Sequence, residues 1–196
     1  WNNFYANGLK NLNIVYNKSK SLNSPYYTGI SRILTAYAFS TLSDIFGDVP
    51  YKEALDATAH PTPKFDSQQE IYDDLQKQLD QAIAELSVPS NTFTAPAPSA
   101  DDLFFKGNTQ NWIAAAWTLK ARLAIHLNKK NPQSAAQTAL SYLYDQNGNY
   151  RGIASNAADL QLNFGAAVSN SNPFFQQNTN RPGWVGLGAA FVNLLN

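Results

Sequence analysis

The chain has 196 residues with 14 basic and 14 acidic side chains, 13% aromatic residues, and neither cysteine nor methionine. Without a thiol there is no cysteine nucleophile, no iron–sulfur cluster and no cysteine-bearing zinc site, and the redox compartment leaves no mark on the sequence. A formal net charge of zero, with Lys and Arg nowhere clustered, argues against nucleic acid and anionic membrane surfaces as partners, because both are bound through grouped cations.

A chain of this length fits one domain, or one plus a fragment, and can bury roughly 70% of the surface its unfolded form exposes. It opens at Trp1 inside an apolar periodicity and closes on an apolar run, Phe191 to Asn196, without a stop signal. That pattern reads as an excerpt of a longer protein whose leader or lipid anchor would lie upstream. No stretch approaches the roughly 20 apolar residues a membrane-spanning helix needs.

Apolar residues recurring at three- and four-residue spacing predict five helices. Trp1, Tyr5, Leu9, Leu12 and Tyr16 form the stripe of the first. A wider one, with Ile30, Ile33, Leu34, Tyr37, Ala38, Thr41, Leu42 and Ile45, predicts a second helix buried on most sides and central to the core. Gly47 is placed to cap it in a left-handed conformation and Pro50 cannot continue it, so residues 48–64 read as loop. Ser67 and Glu70 form a capping box before a third, surface helix with Ile71, Leu75, Leu79, Ile83 and Leu86 on one face.

Residues 89–98 then read as loop, and Asn108 or Thr109 caps a fourth helix through Leu127. Asn131-Pro132 starts a fifth, with Ala135, Ala139, Leu143 and Tyr144 inward, so the last two form an antiparallel hairpin. After Gly148 the helical period is lost until about Leu187, where a short terminal helix is expected; Asn, Gln, Ser, Gly and aromatic residues dominate between them. The expectation is a single all-α domain over 1–196, helical over 1–147 and mostly irregular with an Asn-rich tail over 148–196. No period near 34 residues survives comparison position by position, so the helices form a repeat bundle without strict repetition.

Few residues offer chemistry. Gly183, Gly186 and Gly188 lack the preceding strand and spacing of a dinucleotide loop. His60 and His126 are the two imidazoles, with no helical pair of metal ligands around either and no serine elbow to serve, so neither a metal nor a cofactor is expected. Adjacent aspartates, Asp73-Asp74 and Asp101-Asp102, specify no calcium cage, and the first pair complements a helix N-terminus. Asp44 and Asp48 are the acids a glycosidase would most readily use. Asp44, at the negative end of a helix, needs a compensating cation, and a structural ion pair with Arg122 is the expectation. Asn and Gln together outnumber the charged residues, and in the tail they interleave with Phe164, Phe174, Phe175 and Trp184. Amides match sugar hydroxyls and rings match the apolar faces of sugars, which marks Trp184, Phe175 and Asn180 as candidate ligand-binding residues. A buried loop cluster is the ordinary alternative for such aromatics.

Two stretches resemble a known family. Tyr37 to Ala54, YAFSTLSDIFGDVPYKEA, is similar to the helix-to-loop signature of SusD/RagB-like proteins, and Phe105 to Leu127, FKGNTQNWIAAAWTLKARLAIHL, resembles their next hallmark helix. The opening helix, the capping box, Asn172-Pro173-Phe174-Phe175 and Leu187 to Leu194 are compatible with the same pattern, which looks most like its starch-binding-associating branch. Asn108, Trp117, Ala121 and His126 depart from it, changing packing more than mechanism. The resemblance implies a tetratricopeptide-like helical-repeat fold and a surface-exposed lipoprotein of the outer membrane. It also implies a non-enzymatic protein that captures glycans or other nutrients and passes them to a TonB-dependent SusC-like transporter. A carboxylate-based glycoside hydrolase and a peptide-binding helical scaffold are the alternatives.

Overall fold

In the computed structural model, residues 1–184, 186 and 188–194 are described, and the chain packs as two units, 1–160 and 161–196. The first unit is all-α apart from one short ladder. Its opening helix begins with a π-helical turn, Asn3–Leu9, and continues as α1, Lys10–Ser21. The wider turn brings Phe4 as well as Tyr5 against the core beside fully buried Leu9, whereas Trp1 remains 47% exposed.

α2, Pro25–Phe46, is the hub the pattern predicted: Ile33, Ala36, Phe39 and Leu42 are at most 2% exposed. It is not wrapped on all sides, since Tyr37, Ile45 and Phe46 are each about half exposed or more. Its buried hydroxyls are satisfied locally, Ser31 donating to the Thr28 carbonyl and Ser40 to the Tyr37 carbonyl, both at 2.8 Å. Gly47 ends the helix at φ 75°, ψ −121°, a region open to glycine, though not the left-handed helical cap expected.

The loop that follows is more ordered than its sequence signals. β1, Val49–Pro50, pairs antiparallel with β2, Phe65–Asp66. Asp66 Oδ2 accepts from the Tyr51 and Lys52 backbone amides at 3.1 and 2.8 Å, and Asp48 Oδ1 accepts from the Gln68 amide at 2.9 Å. The end of α2 is thereby tied to the start of α3, Gln68–Leu86. Both halves of the capping box form: the Glu70 amide donates to Ser67 Oγ and the Ser67 amide to Glu70 Oε2 at 3.2 Å. The Ser67 hydroxyl first, and then Lys52, hold the Glu70 carboxyl down at about 2.

α4, Thr109–Ile125, is capped by Asn108, whose Oδ1 accepts from the Gln110 and Asn111 amides at 3.0 and 3.1 Å. A 3-10 turn, His126–Lys129, leads to α5, Pro132–Leu143, where Asn131 Oδ1 accepts from the Ser134 amide at 3.1 Å. The hairpin closes over Ala121, Ala124 and Ala139, while Tyr144 turns outward, 45% exposed. Buried side chains of α2, α3 and α4 form one core, with Trp112 and Leu123 at 1% and 0% exposure. Loss of helical texture after Gly148 is not the packing boundary. The segment up to Leu160 folds back on the first unit, the Ile153 amide donating to Thr118 Oγ1 at 2.9 Å.

In the second unit the irregular tail contains a helix the periodicity missed, α6, Pro173–Asn180, followed by α7, Ala189–Leu194. Leu187, the expected start of that last helix, lies outside the described residues. Asn172 Oδ1 accepts from the Phe174 amide at 2.9 Å with Pro173 at the first helical position. This is the same Asn-Pro start signal that opens α5, but an eight-residue helix is too short to show a stripe.

Candidate functional site

The amide- and aromatic-rich surface expected from the tail sits on α6 and the turn after it. Phe174, Phe175 and Trp184 are 72%, 58% and 68% exposed. Asn180 is exposed as the last residue of α6. The turn through Pro182 and Gly183 is closed by the Trp184 amide donating to the Arg181 carbonyl at 3.2 Å. It brings the Arg181 guanidinium 4.4 Å above the Trp184 ring. Two of the three predicted residues do not share a face of α6. Phe175 and Asn180 are five positions apart on α6, about 140° around its axis, so they point to different sides. Arg181, covering one face of Trp184, is the neighbour composition alone did not pick out.

In the first unit, the end of α2 carries a second polar cluster. The Tyr72 hydroxyl donates to Asp44 Oδ1, and the hydroxyl oxygen lies 2.9 Å from His126 Nδ1. Asp44 Oδ2 is 3.4 Å from that nitrogen. Having spent its one proton on Asp44, the phenol can only accept from His126, which places a proton on Nδ1, and a cavity lies beside the three side chains. That cavity, about 750 Å³, is lined by Gln68, Gln69, Lys129 and Lys130 as well as by the triad. Burial first, and then the hydrogen bond and charge of Asp44, push the Tyr72 phenol well above its usual range, against an opposing pull from Arg122.

The expected Asp44–Arg122 pair is therefore corrected: the partners of Asp44 are Tyr72 and His126. Arg122 is one helical turn before His126 on the same face of α4, and it is exposed. The 3-10 turn that follows α4, not the last turn of α4 that carries Arg122, lies level with the end of α2. Asp48, the other acid considered for hydrolysis, is engaged by the Gln68 amide in joining α2 to α3. The adjacent acids also have structural duties: Asp101 accepts from Tyr27, and Asp102 accepts from the Phe104, Phe105 and Gly107 amides and from Trp112 Nε1. Among the described residues no group of three or more His, Asp and Glu is arranged to hold a metal ion, and no helix is long and apolar enough to cross a membrane.

In the first unit, a helical bundle in which α2, α3 and α4 share one core, α5 pairs with α4, and a short ladder ties the second helix to the third, is the tetratricopeptide-like architecture expected of SusD-type proteins. The chain belongs to that family: the SusD-like family described as starch-binding, associating with outer membrane, matches it over residues 1–196. Among solved structures it is similar to a SusD homologue from Bacteroides uniformis, with 31% identity and a TM-score of 0.71 over 88% of this chain and 34% of that one. A chitin-binding SusD homologue from Flavobacterium johnsoniae shares 26% identity at a TM-score of 0.75, over 91% and 36%. A SusD/RagB family protein from Bacteroides thetaiotaomicron shares 26% at 0.73, over 92% and 36%. The chain thus spans about a third of the length of each of these proteins. No curated protein matches it.

Proposed function

We propose that this chain is part of a protein that captures glycans at the outer-membrane surface without cleaving them and passes them to a TonB-dependent SusC-like transporter. The observation that carries the reading is the family match over residues 1–196, whose description is starch-binding and outer-membrane-associating. A related structure named as chitin-binding supports a polysaccharide ligand. Trp184, Phe175 and Asn180 are the proposed contacts, Trp184 offering its ring face and Asn180 its amide. Capture without cleavage agrees with Asp44 and Asp48 being held by Tyr72, His126 and the Gln68 amide. Surface tethering through a lipid anchor belongs to the same proposal.

The test is affinity electrophoresis of the whole protein through gels containing starch or soluble chitin oligomers, paired with chromatography of the incubated glycan. Retardation with the glycan chain length unchanged is expected. Shortened oligomers would overturn the non-enzymatic reading, and absence of retardation on every glycan tried would overturn capture. Co-purification of a TonB-dependent transporter from outer membranes, and metabolic labelling with a fatty acid, test the partner and the anchor.

A further inference from the structure

A cavity of about 340 Å³ lies between α1, α2, α3 and the loop of residues 51–55. That is the size of a small-molecule pocket rather than of a packing defect. Its floor is core: Ala36, Phe39 and Leu75 are 1%, 2% and 0% exposed. Its walls are polar, and most of their capacity is already committed in one direction. The Arg32 side chain is 9% exposed and paired with Glu85 at 3.0 Å. Its other nitrogens donate to Gln78 Oε1 and, at 2.9 Å, to the Tyr16 hydroxyl. Lys52 at the rim is likewise neutralised, 3.4 Å from Asp66 and 3.1 Å from Glu70. An anionic ligand would meet no uncommitted cation.

The hydrogen-bonding groups left over are those a polyol needs. The Tyr16 hydroxyl, having accepted from Arg32, retains its own proton. Asp74 Oδ2 accepts from Tyr51 at 2.5 Å and from Gln78 at 3.3 Å, and Oδ1 has no partner among the described residues. Thr35 lines the cavity with a hydroxyl that is also without a partner there, and the Asn13 amide, accepting from Asn17 at 3.2 Å, keeps its N–H donors. Leu55, in the wall, holds φ 69°, a left-handed backbone that is strained for a leucine. An apolar floor beneath a ring of unpaired donors and one acceptor matches a molecule with a C–H face and a hydroxylated edge.

We infer that this cavity seats a single neutral pyranose, a second sugar site apart from the exposed aromatics of α6. The inference rests on the glycan-capture reading and goes beyond it in naming the site and the ligand class. Saturation-transfer NMR and calorimetry on the whole protein with glucose and N-acetylglucosamine test it, with glucuronate and glucosamine as charged controls. Thr35→Leu fills the cavity from α2, and Asn13→Leu does so from α1 should the first variant fold poorly.

Binding of a neutral monosaccharide that weakens about tenfold or more in these variants, with retention on polysaccharide gels unchanged, is the expected result. Monosaccharide binding equal in wild type and variants, its absence while polysaccharide is still retained, or preference for a charged control overturns the inference and leaves the capture reading standing. Loss of retention on every glycan by the wild-type protein overturns the capture reading itself.

Discussion

Tyr72 on α3 donates its phenol proton to Asp44 at the end of α2 and accepts from His126 at the end of α4, so one hydroxyl joins three helices. Tyr72 is 5% exposed, whereas the Asp44 and His126 side chains are 30% and 33% exposed. Its partners can hydrate when the hydroxyl is removed, and Tyr72→Phe is expected to lower unfolding free energy by only about 1 kcal/mol in urea titrations. The pH signature is more telling. The phenol's pKa is raised in the folded state from the usual 10.0, so its contribution is complete below pH 10 and is lost as pH rises through the folded value. Phenylalanine at this position should flatten that part of the alkaline stability loss, and an unchanged slope would sink the assignment.

Asp102 is the opposite case, a carboxylate 8% exposed that fixes the loop entering α4. Burial pushes its carboxyl up, but the Trp112 indole and the Gly107, Phe105 and Phe104 amides together outweigh it and hold the group below its usual 3.8. With the folded pKa depressed, stability from Asp102 is present above about pH 4 and falls away as acid takes the pH through the folded value. Asp102→Asn turns one acceptor into a donor aimed at N–H groups and should cost about 2–4 kcal/mol. Acid titration of wild type and variant by circular dichroism checks both the size and the flattened slope.

Lys120 and Asp80 should respond unequally to mutation. The Lys120 side chain is 2% exposed, with Nζ 2.6 Å from Asp80, 3.3 Å from the Gln76 carbonyl and 4.4 Å above the Tyr142 ring. The Asp80 side chain is 59% exposed. Lys120→Met leaves a solvated carboxylate and a well-filled site, and is expected to change stability by less than about 1 kcal/mol. Asp80→Asn strands a buried ammonium and should cost about 2–4 kcal/mol. Equal losses in thermal melts would refute this account of the pair.

The crossing of α2 over α3 depends on a missing methyl group. A Cβ on Gly29 would stand 2.8 Å from Leu86 Cγ and 3.0 Å from the Ala82 carbonyl oxygen, so the helices meet backbone to side chain at that point. Alanine is the better helix former by about 1 kcal/mol, yet Gly29→Ala should be destabilising by about 1–3 kcal/mol because overpacking outweighs propensity. A rise in melting temperature would mean that the two helices separate there freely.

Trp184 projects from its turn with the Arg181 guanidinium over its ring. On the capture reading, Trp184→Ala should weaken polysaccharide binding about tenfold in calorimetry without lowering stability, since the ring is 68% exposed. Phe175→Ala, with a smaller ring that is 58% exposed, should have a smaller and additive effect.

Much of the fold was readable because its signals act over a few residues. Asn108, Asn131 and the Ser67–Glu70 box sit within three positions of the amides they serve, and each forms as its spacing predicts. Ile33, Leu42, Leu75 and Leu79 are buried as their stripes require. Ile45 departs from its stripe because a stripe says which face is apolar, not whether a neighbour arrives to cover it; at the end of α2 none of the described elements buries it, and it is 62% exposed. α6 leaves no periodic signal because eight residues carry too few turns for periodicity to emerge.

The helical class, the ends of the major helices and the family are legible in the chain alone, since capping, periodicity and a contiguous motif are properties of neighbouring residues. That Asp44 meets His126 rather than Arg122, that Asp80 reaches Lys120, and that Tyr16, Arg32 and Asp74 surround one cavity follows from the packing of the helices instead. Those groupings unite side chains far apart along the chain. Which turn of one helix lies level with which turn of another is set by how whole faces pack, and no local pattern of residues encodes it.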